Sequence, residues 1–139
     1  MKRFRIAICI LLLASLLLSA CGGAVFSATS PGQKSTVKAN DAQDGDFIEL
    51  EYTSVGKNRM AVIETSLDKG QLLIEFVEVT VFAHVDEPAD VIQGDVAVSV
   101  TVEGDDSEQV DLPKGDYVIR VTAVGNANGE VKIEIEKKE

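Results

Sequence analysis

Beyond Gly45 the apolar and polar positions alternate with a period of two. Val96, Val98, Val100 and Val102 stand against Ala97, Ser99, Thr101 and Glu103. Tyr117, Ile119, Val121 and Ala123 stand against Val118, Arg120 and Thr122, and Val131, Ile133 and Ile135 against Lys132, Glu134 and Glu136. One apolar and one largely polar face predict half-buried antiparallel strands. Ile48-Leu50-Tyr52, Met60-Val62 and Val110-Leu112 extend the series more faintly. β-Branched residues dominate, and no i, i+3, i+4 stripe of a helix competes.

The longest run, Gln71 to Phe82, changes phase. Leu72, Ile74 and Phe76 share a face, after which Val77, Val79 and Val81 form the apolar set. A β-bulge or sharp bend between Phe76 and Val77 would return both halves to one core. The alternative, a strand buried on both faces, leaves Glu75 and Glu78 awkwardly placed, so the bulge is the reading preferred.

Turn chemistry separates the segments. Asp68-Lys69-Gly70 precedes the long strand, Gly104-Asp105-Asp106 follows the valine series, and Pro113-Lys114-Gly115 suits a turn. Asn126-Ala127-Asn128-Gly129 is expected to close a hairpin. Residues 83–94, with Pro88 inside, read as a surface crossover. The fold expected is all-β, an antiparallel sandwich of about seven strands over residues 46–139.

Leu112-Pro113-Lys114-Gly115-Asp116-Tyr117 and the alternating run to Val124 resemble the penultimate strand of extracellular sandwich modules. Fibronectin type III and immunoglobulin-like domains share this look, as do pre-peptidase C-terminal jelly-roll-like domains. The chain has no Trp, which fibronectin type III modules usually carry in an early strand. The resemblance implies a corner tyrosine at Tyr117, its hydroxyl bonded to upstream backbone; the other reading has the ring filling core.

The start of the chain follows a different rule. Lys2, Arg3 and Arg5 precede an apolar run from Ile6 to Leu18 broken only by Ser15, and small residues follow at Ser19-Ala20. A basic start, a 7–15-residue apolar stretch and a small-residue cleavage site define a secretory signal. The run is short for a membrane span, which needs about 20 apolar residues. Residues 1–20 are therefore expected to be a cleaved signal helix.

Leu18-Ser19-Ala20-Cys21 resembles the bacterial lipobox. The resemblance implies that the Cys21 sulfur accepts a diacylglyceryl group, that the Ala20–Cys21 bond is cut, and that Cys21 becomes the mature N-terminus. In many bacteria its amine is then acylated as well. One myristoyl-sized chain binds membranes marginally, whereas two chains, at about 0.8 kcal/mol per buried CH₂, anchor stably. The implied location is the cell membrane or outer membrane, with the domain outside the cytoplasm. Gly22 stands where an Asp tends to retain Gram-negative lipoproteins at the inner membrane, a weak lean towards the outer one. Cys9 leaves with the signal, so no second Cys remains for a disulfide and core burial must hold the fold.

From Gly22 to Gly45 the composition is small and polar, with Val25-Phe26 the only bulky apolar pair. Residues 21–45 read as the lipidated Cys and a flexible tether. Its span would be roughly 25–30 Å, enough to hold the domain off an anionic membrane surface.

The whole chain carries 13 basic and 23 acidic residues, a net charge of -10. The three basic residues of the leader leave with it, deepening the acidity. Nucleic acid is excluded as an expected partner, because phosphate binding needs clustered Lys and Arg. His84 is the only histidine. Just past the long strand, it reads as a loop residue, and catalytic triads and zinc sites cannot be assembled without more His or Cys. The acidic loops Asp41–Asp46, Asp86–Asp90 and Asp105–Glu108 lack EF-hand spacing and read as solvated turns. No catalytic, metal or cofactor-binding residue is assigned; Cys21 is the one site residue. The function expected is a monomeric, lipid-anchored, non-enzymatic interaction module for an envelope protein or surface polymer. The alternative is a small-solute or calcium-binding accessory, or a minor hydrolase subunit.

Overall fold

Long β-branched runs with few breaks produce three strands of unusual length. The computed structural model describes residues 25–29 and 33–138. Its strands are β1 (Phe26–Thr29), β2 (Lys34–Ala42), β3 (Phe47–Glu49), β4 (Thr53–Val55), β5 (Arg59–Phe82), β6 (Asp90–Leu112) and β7 (Gly115–Lys137). All join one antiparallel sheet of seven strands in the order β1-β2-β7-β5-β6, with β3 and β4 also paired to β7. The architecture is all-β and sandwich-like, as expected.

The sheet folds over on itself at a corner that the three long strands cross together. Against β5, the partners on β7 step from Lys69↔Asn128 to Gln71↔Val124, and those on β6 from Ser66↔Asp105 to Gln71↔Glu103. Unequal numbers of residues on facing strands bend a ladder sharply, and strands that switch sheets this way make the corners of orthogonal packings. Gly70 (φ 77°) and Gly129 (φ 141°) make the corner possible. A Cβ on Gly70 would stand 2.1 Å from the Asn126 carbonyl oxygen, and one on Gly129 would stand 2.3 Å from that of Ser66. Only glycine fits such an approach.

On either side of the corner the inward residues meet in one core. Val37 and Ala39 of β2, Ile63, Leu72, Ile74 and Phe76 of β5, and Ile119, Val121, Val131 and Ile133 of β7 are all buried in it. The alternation read in residues 117–123 and 131–135 is the alternation that fills this core.

Three sequence expectations need correction. The 68–70, 104–106 and 126–129 motifs do not end strands; they form the corner inside β5, β6 and β7, so the seven strands are a different set. Residues 83–94 are not a crossover: β5 and β6 form a long hairpin whose tip is 83–89, with β6 already begun at Asp90. Finally, the expected tether is ordered over much of its length. Residues 34–42 form β2, paired to β7 from Lys34↔Glu134 to Ala42↔Ala127, with Val37, Ala39 and Ala42 in the core. Small residues at alternate positions met the core where a bulky series was the signal sought.

The phase change at Phe76 and Val77 is real and has another consequence. The β5–β6 register shifts there, from Phe76↔Val98 to Val77↔Val96, with Ala97 the extra residue on β6. The β5–β7 register runs on unshifted through Phe76↔Ile119, Val77↔Val118 and Glu78↔Tyr117. Neighbours on an unbulged strand point to opposite faces. Phe76 therefore enters the core, while Val77 and Val118 are buried outside that cluster, on the outer face. The strand is buried on both faces at this point, the alternative set aside by the bulge argument.

Candidate functional site

The end of the β5–β6 hairpin lies over this outer face, where Val91 and Gln93 line one groove with Val118. Two register shifts, at Phe76/Val77 and Val77/Val79, precede an arm in which residues 79–82 pair with 90–93 alone, the β7 ladder having stopped at Glu78↔Tyr117. The hydrogen bonds of Gln93 show where this arm goes. Its side chain bonds Arg120 of β7 (Nη2 to Oε1, 2.6 Å) and Glu49 of β3, although β5 lies between β6 and β7 in the sheet. The arm therefore crosses the outer face towards β3.

Beneath it lies an open groove of about 640 Å³ lined by Glu49, Leu50, Glu51, Tyr52, Val91, Gln93 and Val118. Arg120 anchors its polar side. Its guanidinium lies 3.4 Å from the Glu49 carboxylate and 6.0 Å from the centre of the Phe47 ring. Cation–π geometry and an ion pair hold the same side chain, which limits its rotamers. The groove thus offers an apolar floor with an oriented amide and ion pair along one side, which suits binding an extended segment or a small polar molecule.

The arm itself carries apolar surface outwards. Phe82 and Ile92 are half exposed and Val85, in the hairpin tip, is 89% exposed. Contiguous exposed apolar residues on a small acidic domain mark a contact surface more often than scattered ones do. The bond that ties the arm down reaches Arg120, opposite Glu75 and four residues along β5 from Gln71 at the corner, a distance of about 13 Å.

The corner is where the chain enters the fold. The Asn40 amide donates to the Val25 carbonyl at 2.7 Å, and β1 opens with Phe26↔Ala39. Cys21 and the leader 1–20 lie outside the described residues. Val25, Phe26, Gly45, Asp46, Phe47 and Ile48 line a cleft of about 430 Å³ at this end.

The remaining candidates have structural employment. His84 pairs with Asp90 at 2.7 Å across the base of the hairpin tip. Asp44 accepts the Gly125 amide at 2.9 Å, Asp46 the Gln43 amide at 3.0 Å and Asp106 the Ser107 amide at 2.8 Å. Asp41 pairs with Lys69 at 3.6 Å. Among the described residues no group of three or more His, Cys, Asp or Glu is placed to hold a metal ion. Tyr117 satisfies both readings offered for it. Its ring is 1% exposed and set edge-on to Phe76 with centroids 6.3 Å apart, and its hydroxyl donates to the Pro113 carbonyl at 2.7 Å. Burial first, then the Glu78 charge, holds its phenol above the ordinary value.

Sequence reasoning missed Glu49, Gln93 and Arg120 as a group. Arg120 was visible as a polar break in an apolar strand, but its partners stand 71 and 27 residues away and no local pattern joins them. Neither a protein-family model nor a curated protein matches this chain, so the site is read from its own residues.

Proposed function

We propose that this chain is a lipid-anchored cell-envelope protein whose β domain serves as a non-enzymatic interaction module. The secretory leader and the lipobox-like Leu18-Ser19-Ala20-Cys21 support the anchor. The observation that carries the module is the hairpin arm, which runs beyond the β7 ladder and presents Phe82, Val85 and Ile92 to solvent. Exposing these groups has a hydrophobic cost that contact with a partner recovers. The partner is another envelope protein or a surface polymer, met by the arm and the adjoining edge of β6. Nucleic acid is disfavoured by the acidic balance.

A photo-crosslinking residue placed at Ile92 in cells making the full chain tests the reading. A discrete adduct from position 92, absent from position 130 on the other side of the corner, is the expected result. No adduct from positions 82, 85 or 92 would reject the arm as the contact surface.

The groove of about 640 Å³ favours one second reading, capture of a small polar solute beside Arg120. Pockets of this size hold small ligands. That reading predicts a solute that copurifies with the full chain and is lost on Arg120→Ala.

A further inference from the structure

We infer that the cleft edge formed by Val25, Phe26 and Phe47 is the membrane-contacting surface of the anchored protein, with the Phe47 ring seated at the boundary of a zwitterionic bilayer. This rests on lipidation at Cys21. From Cys21 to Val25 are four residue steps, which span at most about 14 Å when fully extended. Val25 is a fixed point, because its carbonyl accepts the Asn40 amide at 2.7 Å and β1 begins beside it. A tether of 24 residues would let the domain turn freely; a link of four residue steps cannot. The end of the fold that carries Val25 must therefore face the bilayer.

That end carries the apolar groups such a position requires. Val25 and Phe26 pack partly against the core and line one cleft with Phe47, whose ring is 57% exposed. A phenyl ring so exposed beside the anchor meets interfacial lipid rather than water once the lipid is inserted, and aromatic rings favour that depth. The charges choose the lipid. Asp41, Asp44, Asp46 and Glu130 stand at the same end against two lysines, Lys69 paired to Asp41 and Lys38, opposite Ser27 on β1, paired to Glu130, so carboxylates outnumber ammonium groups there. Anionic headgroups would repel that set, whereas zwitterionic ones would not. A second copy of the chain is a poor occupant for the same reason, since each copy brings the same carboxylates.

The test uses the full chain, processed in cells and reconstituted into phosphatidylcholine vesicles. Ser27, exposed on β1, is changed to Cys and labelled with a small fluorophore, leaving Phe47 intact. Lipids carrying a shallow nitroxide should quench the label at 27 at least threefold more than one at Glu87→Cys, in the hairpin tip at the far end. Phe47→Ser should lower quenching at 27 at least twofold. Equal quenching at 27 and 87, or quenching at 27 indifferent to Phe47→Ser, overturns the inference. Intact mass separates the two levels: a protein without diacylglycerol on Cys21 refutes the anchor, whereas a lipidated protein with an unquenched label refutes only the contact surface.

Discussion

Tyr117 ties the β6–β7 turn to the core through one hydroxyl. Replacing it with Phe keeps the edge-on contact with Phe76 and strands the Pro113 carbonyl, a loss of about 0.5–1.5 kcal/mol. The urea midpoint should fall accordingly. The same residue sets an alkaline limit. Because its folded-state value is raised above 10.0, the unfolded chain releases the proton first as pH rises. Its contribution is intact below about pH 10 and lost as pH climbs through the folded-state value. Stability measured across that range should decline more steeply in the parent than in Tyr117→Phe. Thr65 points the opposite way. Its hydroxyl is buried in β5 with no hydrogen-bond partner among the described residues, and Val has nearly the same shape. Thr65→Val should therefore raise stability by about 1 kcal/mol in the same titration, and a loss of stability would mean the hydroxyl is satisfied in solution.

At the scale of elements, β2 separates a folded strand from a tether. Val37 is fully buried in the core, so Val37→Ala should cost about 2 kcal/mol, whereas in a flexible linker the change would be silent. A thermal or urea titration distinguishes them. The strands that could be read from sequence were those with bulky residues at every second position, residues 96–102, 117–123 and 131–135. Ser35, Val37 and Ala39 alternate just as well, but Ser and Ala give a weak apolar signal and their neighbours are charged. The corner was hidden for a different reason. A tight turn and a strand bend call on the same Gly, Asn and Asp residues, so 68–70 and 126–129 looked like ends of strands. What decides is the stacking of Gly70 on Asn126 and of Gly129 on Ser66, contacts between segments about sixty residues apart. The phase change at Phe76 was legible in place and misread in sense, because the arm that lies over the outer face is not a local feature. The groove's Glu49, Gln93 and Arg120 escaped for the same cause.

Across the whole molecule the features fall into a polarity. The chain enters at the corner beside Phe26 and Phe47, and the apolar arm is tied down at Arg120, about 13 Å from the corner along the strands, with its tip beyond. A short link from Cys21 at one end and a contact surface on the arm would suit a protein held against a bilayer while it meets a partner. On the proposed anchoring, an ordered β2 would set the domain near the membrane and not on a long leash. Everything in that arrangement depends on Cys21. Intact mass of the protein extracted in detergent from its native membrane tests it most directly. The account predicts a chain beginning at Cys21 with a diacylglyceryl group on its sulfur. A free Cys21 thiol, or residues 1–20 still attached, would contradict it.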